Sequence, residues 1–305
     1  VVPGVCSIEY GDSSWIVCPR RMLGFKKEGN EILPEVNFSL RQHELKALRA
    51  AGLPKGVLLG VWSEVYLQFK EDDTDINYHF DFVIAPIEKN SSMKWMFDYH
   101  GANQADIRKE LWENAKKGGY LKNVRHESTP VTVLPRLEKP TILEVMTAST
   151  SGSNTEKRTN ISSAFEDAML ERPYNCPGIN KRQVWGRMAT QLFAKSRLAE
   201  SWGGKTIWMV QDELLKNIEL TTRLDLSQQS SESDSTINFL SLKYPKEEDR
   251  KDRELDLDFY VENKTGLNFY SNNYSADILL PKKCPDKIEL LKSVLRRELS
   301  AVIQL

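Results

Sequence analysis

Two acidic residues stand in stretches that otherwise read as buried strand. In residues 141–147, Glu144 interrupts Ile142, Leu143, Val145 and Met146; in 78–86, Asp81 interrupts Phe80, Phe82, Val83, Ile84 and Ala85. Short apolar, β-prone runs belong to core strands. A carboxylate inside one needs a hydrogen-bond partner, a cation or a cleft to replace its lost hydration. Two such acids on two core strands suggest a divalent-metal site, because Mg²⁺ takes one or two carboxylates and completes its shell with water and phosphate oxygens. The plainer alternative is a structural acid paired with an Arg or capping a turn. His79 lies two residues from Asp81, hence on the same strand face, either as a supporting partner or as a satisfied core histidine. Glu64, on an earlier strand, is a further acid for the cluster.

The elements that must position these residues follow from periodicity and punctuation. A helix is expected from a Ser39/Gln42 capping box through Leu45 and Leu48 to Gly52 and Pro54. Strands are expected at 57–61 and 64–69, then an acidic turn at 71–75 and the Asp81 strand. Helix 104–117 carries Ile107, Leu111 and Ala115 and ends at Gly118-Gly119. Residues 125–139, with three prolines, read as an extended connector. After the Glu144 strand come a Ser/Gly loop at 149–153 and helices at 160–170 and 180–201, the second with a stripe of Val184, Met188 and Leu192. A buried strand at 206–210 follows. Residues 226–236 and 246–258 read as loop or solvated face, 255–261 and 278–280 as strands, and 287–305 as a closing amphipathic helix.

The chain has 305 residues, 40% hydrophobic and 28% charged, the composition of an ordinary soluble globular protein with a sizeable core. A net charge of −1 excludes a strongly basic nucleic-acid coat but not a local cationic groove. No run of eighteen or more apolar residues occurs, so no membrane span is expected. Four scattered cysteines, Cys6, Cys18, Cys176 and Cys284, are too few for a disulfide scaffold and point to a reducing cytoplasm. Val1-Val2-Pro3-Gly4 has neither an initiator Met nor a signal-peptide pattern, which predicts further residues upstream in the natural protein.

The order helix, strands, Asp81 strand, Glu144 strand, helix, strand is that of the PD-(D/E)XK nuclease fold. More narrowly, the chain resembles the NotI-type restriction endonucleases. The resemblance is carried by Gly4-Val5-Cys6 through Trp15-Ile16-Val17-Cys18-Pro19, by Phe80-Asp81-Phe82, and by Leu143-Glu144-Val145-Met146-Thr147 with Gly152-Ser153; the helix with Gln191-Leu192 and Lys195 looks similar too. It covers residues 4 to about 215. It implies an α/β fold with a mixed central sheet flanked by helices and an N-terminal cysteine-containing segment. The expected division is a segment at 1–30, a nuclease core at 31–215 with an insertion near 88–138, and a C-terminal extension at 216–305 packing on the core. Asp81 and Glu144 would be Mg²⁺ ligands, with the Val145 carbonyl a third. Cys6 and Cys18 would be half of a four-cysteine iron or zinc site, the alternative being two buried thiols. The implied activity is type II restriction: Mg²⁺-dependent hydrolysis of double-stranded DNA by a homodimer at a palindromic, GC-rich site.

The chain departs from the pattern at Met146, where most of the superfamily has Lys and the NotI type Gln. Met can neither carry charge nor donate a hydrogen bond. Lys157 and Lys195 are the candidate substitutes. Asn154, Thr155 and Arg158, in the loop after the Glu144 strand, are candidates for reading bases, and Lys181, Arg182 and Arg187 for contacting phosphates. Ordinary helix solvation is the commoner role for such cations. Two competing readings are a DNA-binding protein that has lost cleavage, which Met146 favours, and an α/β enzyme using the two acids for other metal chemistry.

Overall fold

The computed structural model describes all residues except 1, 4–5, 11–12, 26–32, 72–73, 223, 227–234, 244–259, 268–280 and 282. The chain opens with a small antiparallel sheet of β1 (Val2–Pro3), β2 (Ser7–Tyr10) and β3 (Ser13–Ile16), then α1 (Pro19–Met22) and α2 (Gln42–Ala50). Two long strands follow, β4 (Leu59–Glu71) and β5 (Thr74–Ser92), then α3 (Met93–Tyr99), α4 (Ala105–Lys117), β6 (Pro130–Pro135) and β7 (Thr141–Met146). A short hairpin of β8 (Ser149–Ser151) and β9 (Gly178–Asn180) brackets α5 (Ile161–Met169). The remainder is α6 (Lys181–Ser201), β10 (Lys205–Gln211), α7 (Asp212–Thr221), β11 (Ile237–Lys243), β12 (Tyr260–Leu267), α8 (Lys287–Leu295) and β13 (Ala301–Ile303).

One mixed sheet organises these elements, in the order β12-β11-β10-β7-β5-β4-β13, with β6 on the far half of β5. β7, β10 and β11 run parallel, and β5 lies antiparallel between β4 and β7. Strands β7 and β10 are covered on both faces, which is why they read as nearly continuous apolar runs. On one face Ala47 and Leu48 of α2 pack on Leu59, Val61, Leu143 and Ile207. On the other, α3, α4 and α8 cover Trp62, Phe80, Val83 and Ile142, while Val184, Met188 and Leu192 of α6 cover Trp208 and Val210.

The outer strands change face midway. On β4, Leu59 and Val61 point to the α2 side, whereas Val65 and Leu67, of the same parity, point to the α4 side. On β5, Phe80 belongs to the α4-side core, but so do Val83 and Ala85, of opposite parity. The switch on β4 centres on Glu64, whose φ of 53° lies in the left-handed region that a β-carbon disfavours. The pairs Ser63↔Phe82 and Val65↔Phe80 flank it, so Glu64 stands opposite Asp81 where both strands switch. A sequence read as two strands, 57–61 and 64–69, is one strand with two faces.

Several expectations need correction. α2 starts at Gln42 with Arg41 as its N-cap residue, and its reciprocal acceptor is Glu44, whose Oε2 takes the Arg41 N–H at 2.7 Å; Ser39 is buried before the helix and does not cap it. Residues 130–135 of the connector are a strand, β6, paired with β5. The closing helix stops at Leu295, and Ala301–Ile303 pairs antiparallel with β4. Apolar spacing in so short a run fits a helix turn or a strand equally, and the open edge of β4 decides it. β11, β12 and β13 of residues 216–305 are thus strands of the central sheet itself. The strand expected at 278–280, all of 246–258, 255–259 of the strand expected at 255–261 and 227–234 of the loop expected at 226–236 lie outside the described residues. Among the described residues, no helix is long and apolar enough to cross a membrane.

Candidate metal centre

Asp81 and Glu144 meet where β5 and β7 part. The β5–β7 ladder ends at Phe82↔Leu143, so the next step brings Asp81 opposite Glu144 without backbone pairing. The gap is bridged by a side chain: Val145 donates its N–H to Asp81 Oδ2 at 2.9 Å. Glu144 is 2% exposed, and its Oε2 accepts from Lys195 Nζ at 2.6 Å. Its Oε1 is buried without a side-chain partner.

The amine comes from α6. Glu144 and Met146 share the sheet face that α6 covers, and Lys195 lies on the turn of α6 nearest Glu144, its side chain 6% exposed and its Nζ 5.8 Å from the Phe80 ring centroid. Met146 itself packs, partly buried, against the cluster of Trp208, Val184 and Met188. A lysine at 146 would have to end in that apolar cluster, whereas a lysine at 195 reaches Glu144 from above.

Burial dominates the electrostatics. It pushes the Glu144 carboxyl up to about 8, against the attraction of Lys195 and with added repulsion from the Asp81 carboxyl, while the Asp81 backbone N–H and the Lys195 hydrogen bond act the other way. Asp81 is also raised, first by desolvation and opposed by the Val145 N–H and Lys195. The two acids therefore share a proton-retaining environment that a bound cation would relieve.

A cleft of about 510 Å³ opens beside them, lined by Tyr66, Asn77 and His79 of the β4–β5 arm, by Gln191 and Lys195 of α6, and by Asp81 at its base. His79 Nε2 lies 2.6 Å from Glu64 Oε2, so these two residues are partners of each other at the cleft edge. Tyr66 and Asn77 escaped the sequence reading; as residues on the polar side of alternating strands they were visible only in principle.

The residues expected to hold a metal fit that role in number and kind. Among the described residues no group of three His, Cys, Asp or Glu comes together, so the donor set is two carboxylates, with Glu144 Oε1 already desolvated and without a side-chain partner. Val145 supplies backbone atoms to the site, its N–H being committed to Asp81. Cys6 and Cys18 are adjacent free thiols at the base of the β2–β3 hairpin, where burial and the Cys18 thiol raise Cys6. That hairpin is tied to the sheet: Ala148 donates to the Ile16 carbonyl at 2.9 Å, and Gln211 clasps Ile16 N–H and Ser14 O.

The remaining candidates are dispersed. Lys157 sits in an exposed loop, its backbone N–H bonded to Asn154 Oδ1. Thr155 is exposed in the same loop. Arg158 is held by Asp167 and Glu166 at 2.8–3.0 Å, so its guanidinium braces the loop onto α5. Lys181 lies over the Trp15 ring, 4.2 Å from its centroid, and the Arg182 side chain is outside the described residues. Arg187 is exposed on α6, two turns from Lys195. Comparison of the chain with protein-family models, with curated proteins and with solved structures finds no match in any of the three.

Proposed function

We propose that this chain is a Mg²⁺-dependent endonuclease of the type II restriction kind, cleaving double-stranded DNA as a homodimer at a palindromic site, and that its core is of the PD-(D/E)XK type. The carrying observation is the convergence of Asp81 and Glu144 at the parting of β5 and β7, with Glu144 Oε1 buried and without a side-chain partner. The order α2, β4, β5, β7, α6, β10 supports it, since it repeats the expected sequence of helix, acid-bearing strands, helix and strand.

Asp81 and Glu144 would hold the ion, with the Val145 carbonyl as a third donor. When bound, Mg²⁺ supplies charge neutralisation at the phosphate and an acidified water. The chain's own residues do the rest. Val145 N–H fixes the Asp81 rotamer; Lys195 fixes Glu144 and brings positive charge to the cleft, in place of the amine missing at 146. Gln191, Tyr66 and Asn77 line the walls against which a DNA strand would lie. Arg187 and Lys157 are exposed cations outside the cleft lining, free to meet phosphates flanking the site.

The packing of Met146 into apolar surroundings favours a second reading, a DNA-binding protein without cleavage. Incubating the protein with phage DNA and Mg²⁺ separates the two. Discrete fragments, abolished by EDTA, support the first; retarded, intact DNA supports the second; no association at low salt rejects both.

A further inference from the structure

We infer that Lys195 is an internal counter-ion of the Asp81 and Glu144 pair, competing with a divalent cation for it and so setting how tightly the site holds Mg²⁺. The inference rests on the two-carboxylate reading of the site and goes on to assign what limits its affinity.

Three observations carry it. The Lys195 ammonium lies 2.6 Å from Glu144 Oε2 with both side chains almost wholly buried. Among the described residues it is the only Lys or Arg acting on both carboxyls. The pair is also incompletely satisfied: Glu144 keeps one buried oxygen without a side-chain partner, and Asp81 uses one oxygen on Val145 N–H. A buried ion pair that served stability alone would need its remaining lone pairs filled to offset desolvation.

The charge count gives the direction. With an ion bound, both carboxyls are ionised; together with the ammonium they carry a single negative charge, and without it they carry two. In a site shielded from water, one charge at this range changes an ion's affinity by roughly 10- to 100-fold. Lys195 also lines the cleft, so rotation about its long side chain carries Nζ off Glu144 and toward Gln191, where it faces the space a substrate phosphate would enter. The ammonium that restrains metal binding is then available to an anionic substrate, and the site is tightened by substrate and metal together.

The test is calorimetric titration of the full chain with Mn²⁺, read without any cleavage assay. Lys195→Gln, which keeps a hydrogen-bond donor for Glu144, is expected to bind about 10- to 100-fold more tightly than wild type. Lys195→Arg should stay within about threefold, as should Lys46→Gln on the exposed face of α2, a control for net charge alone. Because Lys195→Met leaves the carboxyls uncompensated, it is melted with and without Mg²⁺; its midpoint should rise more with the ion than that of wild type. Unchanged or weaker Mn²⁺ binding by Lys195→Gln overturns the counter-ion role, even where Asp81→Asn and Glu144→Gln abolish binding. Binding that survives in both of those carboxylate variants, or is absent from wild type, overturns the two-carboxylate reading itself.

Discussion

Glu44 and Glu144 are both buried, both paired with a base, and opposite in kind. Glu44 is fully inaccessible and complete: Oε1 accepts from Gly24 N–H at 2.7 Å and from Arg41 at 2.6 Å, and Oε2 accepts from Arg41 N–H at 2.7 Å. Glu144 has one side-chain donor, one oxygen without a side-chain partner and a second acid across a strand gap. Burial and pairing are shared, so neither marks function. What separates them is the state of the last lone pairs: a carboxylate that closes its own account with the protein is architecture, and one left open beside a cleft is an offer to a ligand.

That contrast can be broken at either end. The largest expected effect is on catalysis: Asp81→Asn or Glu144→Gln should lower Mg²⁺-dependent DNA cleavage by more than about 10³-fold while gel retardation persists. Glu44→Ala should do the reverse, leaving cleavage per folded molecule unchanged and lowering unfolding free energy by about 3 kcal/mol in urea titration, since two backbone N–H groups and Arg41 lose their acceptor. Full activity in Asp81→Asn, or lost activity in folded Glu44→Ala, would reverse the assignment.

Proton linkage sharpens the comparison. Burial pushes the Glu144 carboxyl up to about 8 from its ordinary 4.5. Between those values the unfolded state binds fewer protons, so stability falls as pH rises. Glu144→Gln has no proton to lose. Without divalent cations its stability relative to that of wild type should rise between pH 5 and pH 8. A difference independent of pH would show that the carboxyl does not titrate in this window. Smallest is Glu64→Gly, which removes the left-handed penalty and should raise stability by about 1 kcal/mol, less what is lost with the His79 contact.

Much of this was legible in the sequence, for identifiable reasons. Glu144 and Asp81 announced themselves because a charge in a doubly covered strand has no other explanation than a partner or a ligand. α4, α5 and α6 were found nearly to the residue, since each carries an apolar stripe with a clear stop or cap. Lys195 was visible only as one of two alternatives to Met146; the fold brings Lys195 to Glu144 and leaves Lys157 in an exposed loop. Glu44 was not legible, because an acid in the first turn of a helix usually faces water, and its burial depends on Gly24, twenty residues away. Arg158 misled for a related reason. Its partners Glu166 and Asp167 lie eight and nine residues on, and only the turn into α5 brings them back. Positive φ at Glu64 has no signature at all in a Glu side chain.

That last residue has a consequence for how the strand pair tolerates change. Upstream of Glu64, and on β5 from Val83 onward, the rule for which positions must be apolar is one frame; on the arm beyond it is the shifted frame. A substitution scan of β4 and β5 should therefore not show one alternating pattern but two, spliced at the Glu64/Asp81 step. A chain rebuilt on uniform alternation would keep either the central sheet or the arm. It would lose the cleft that exists because both are present.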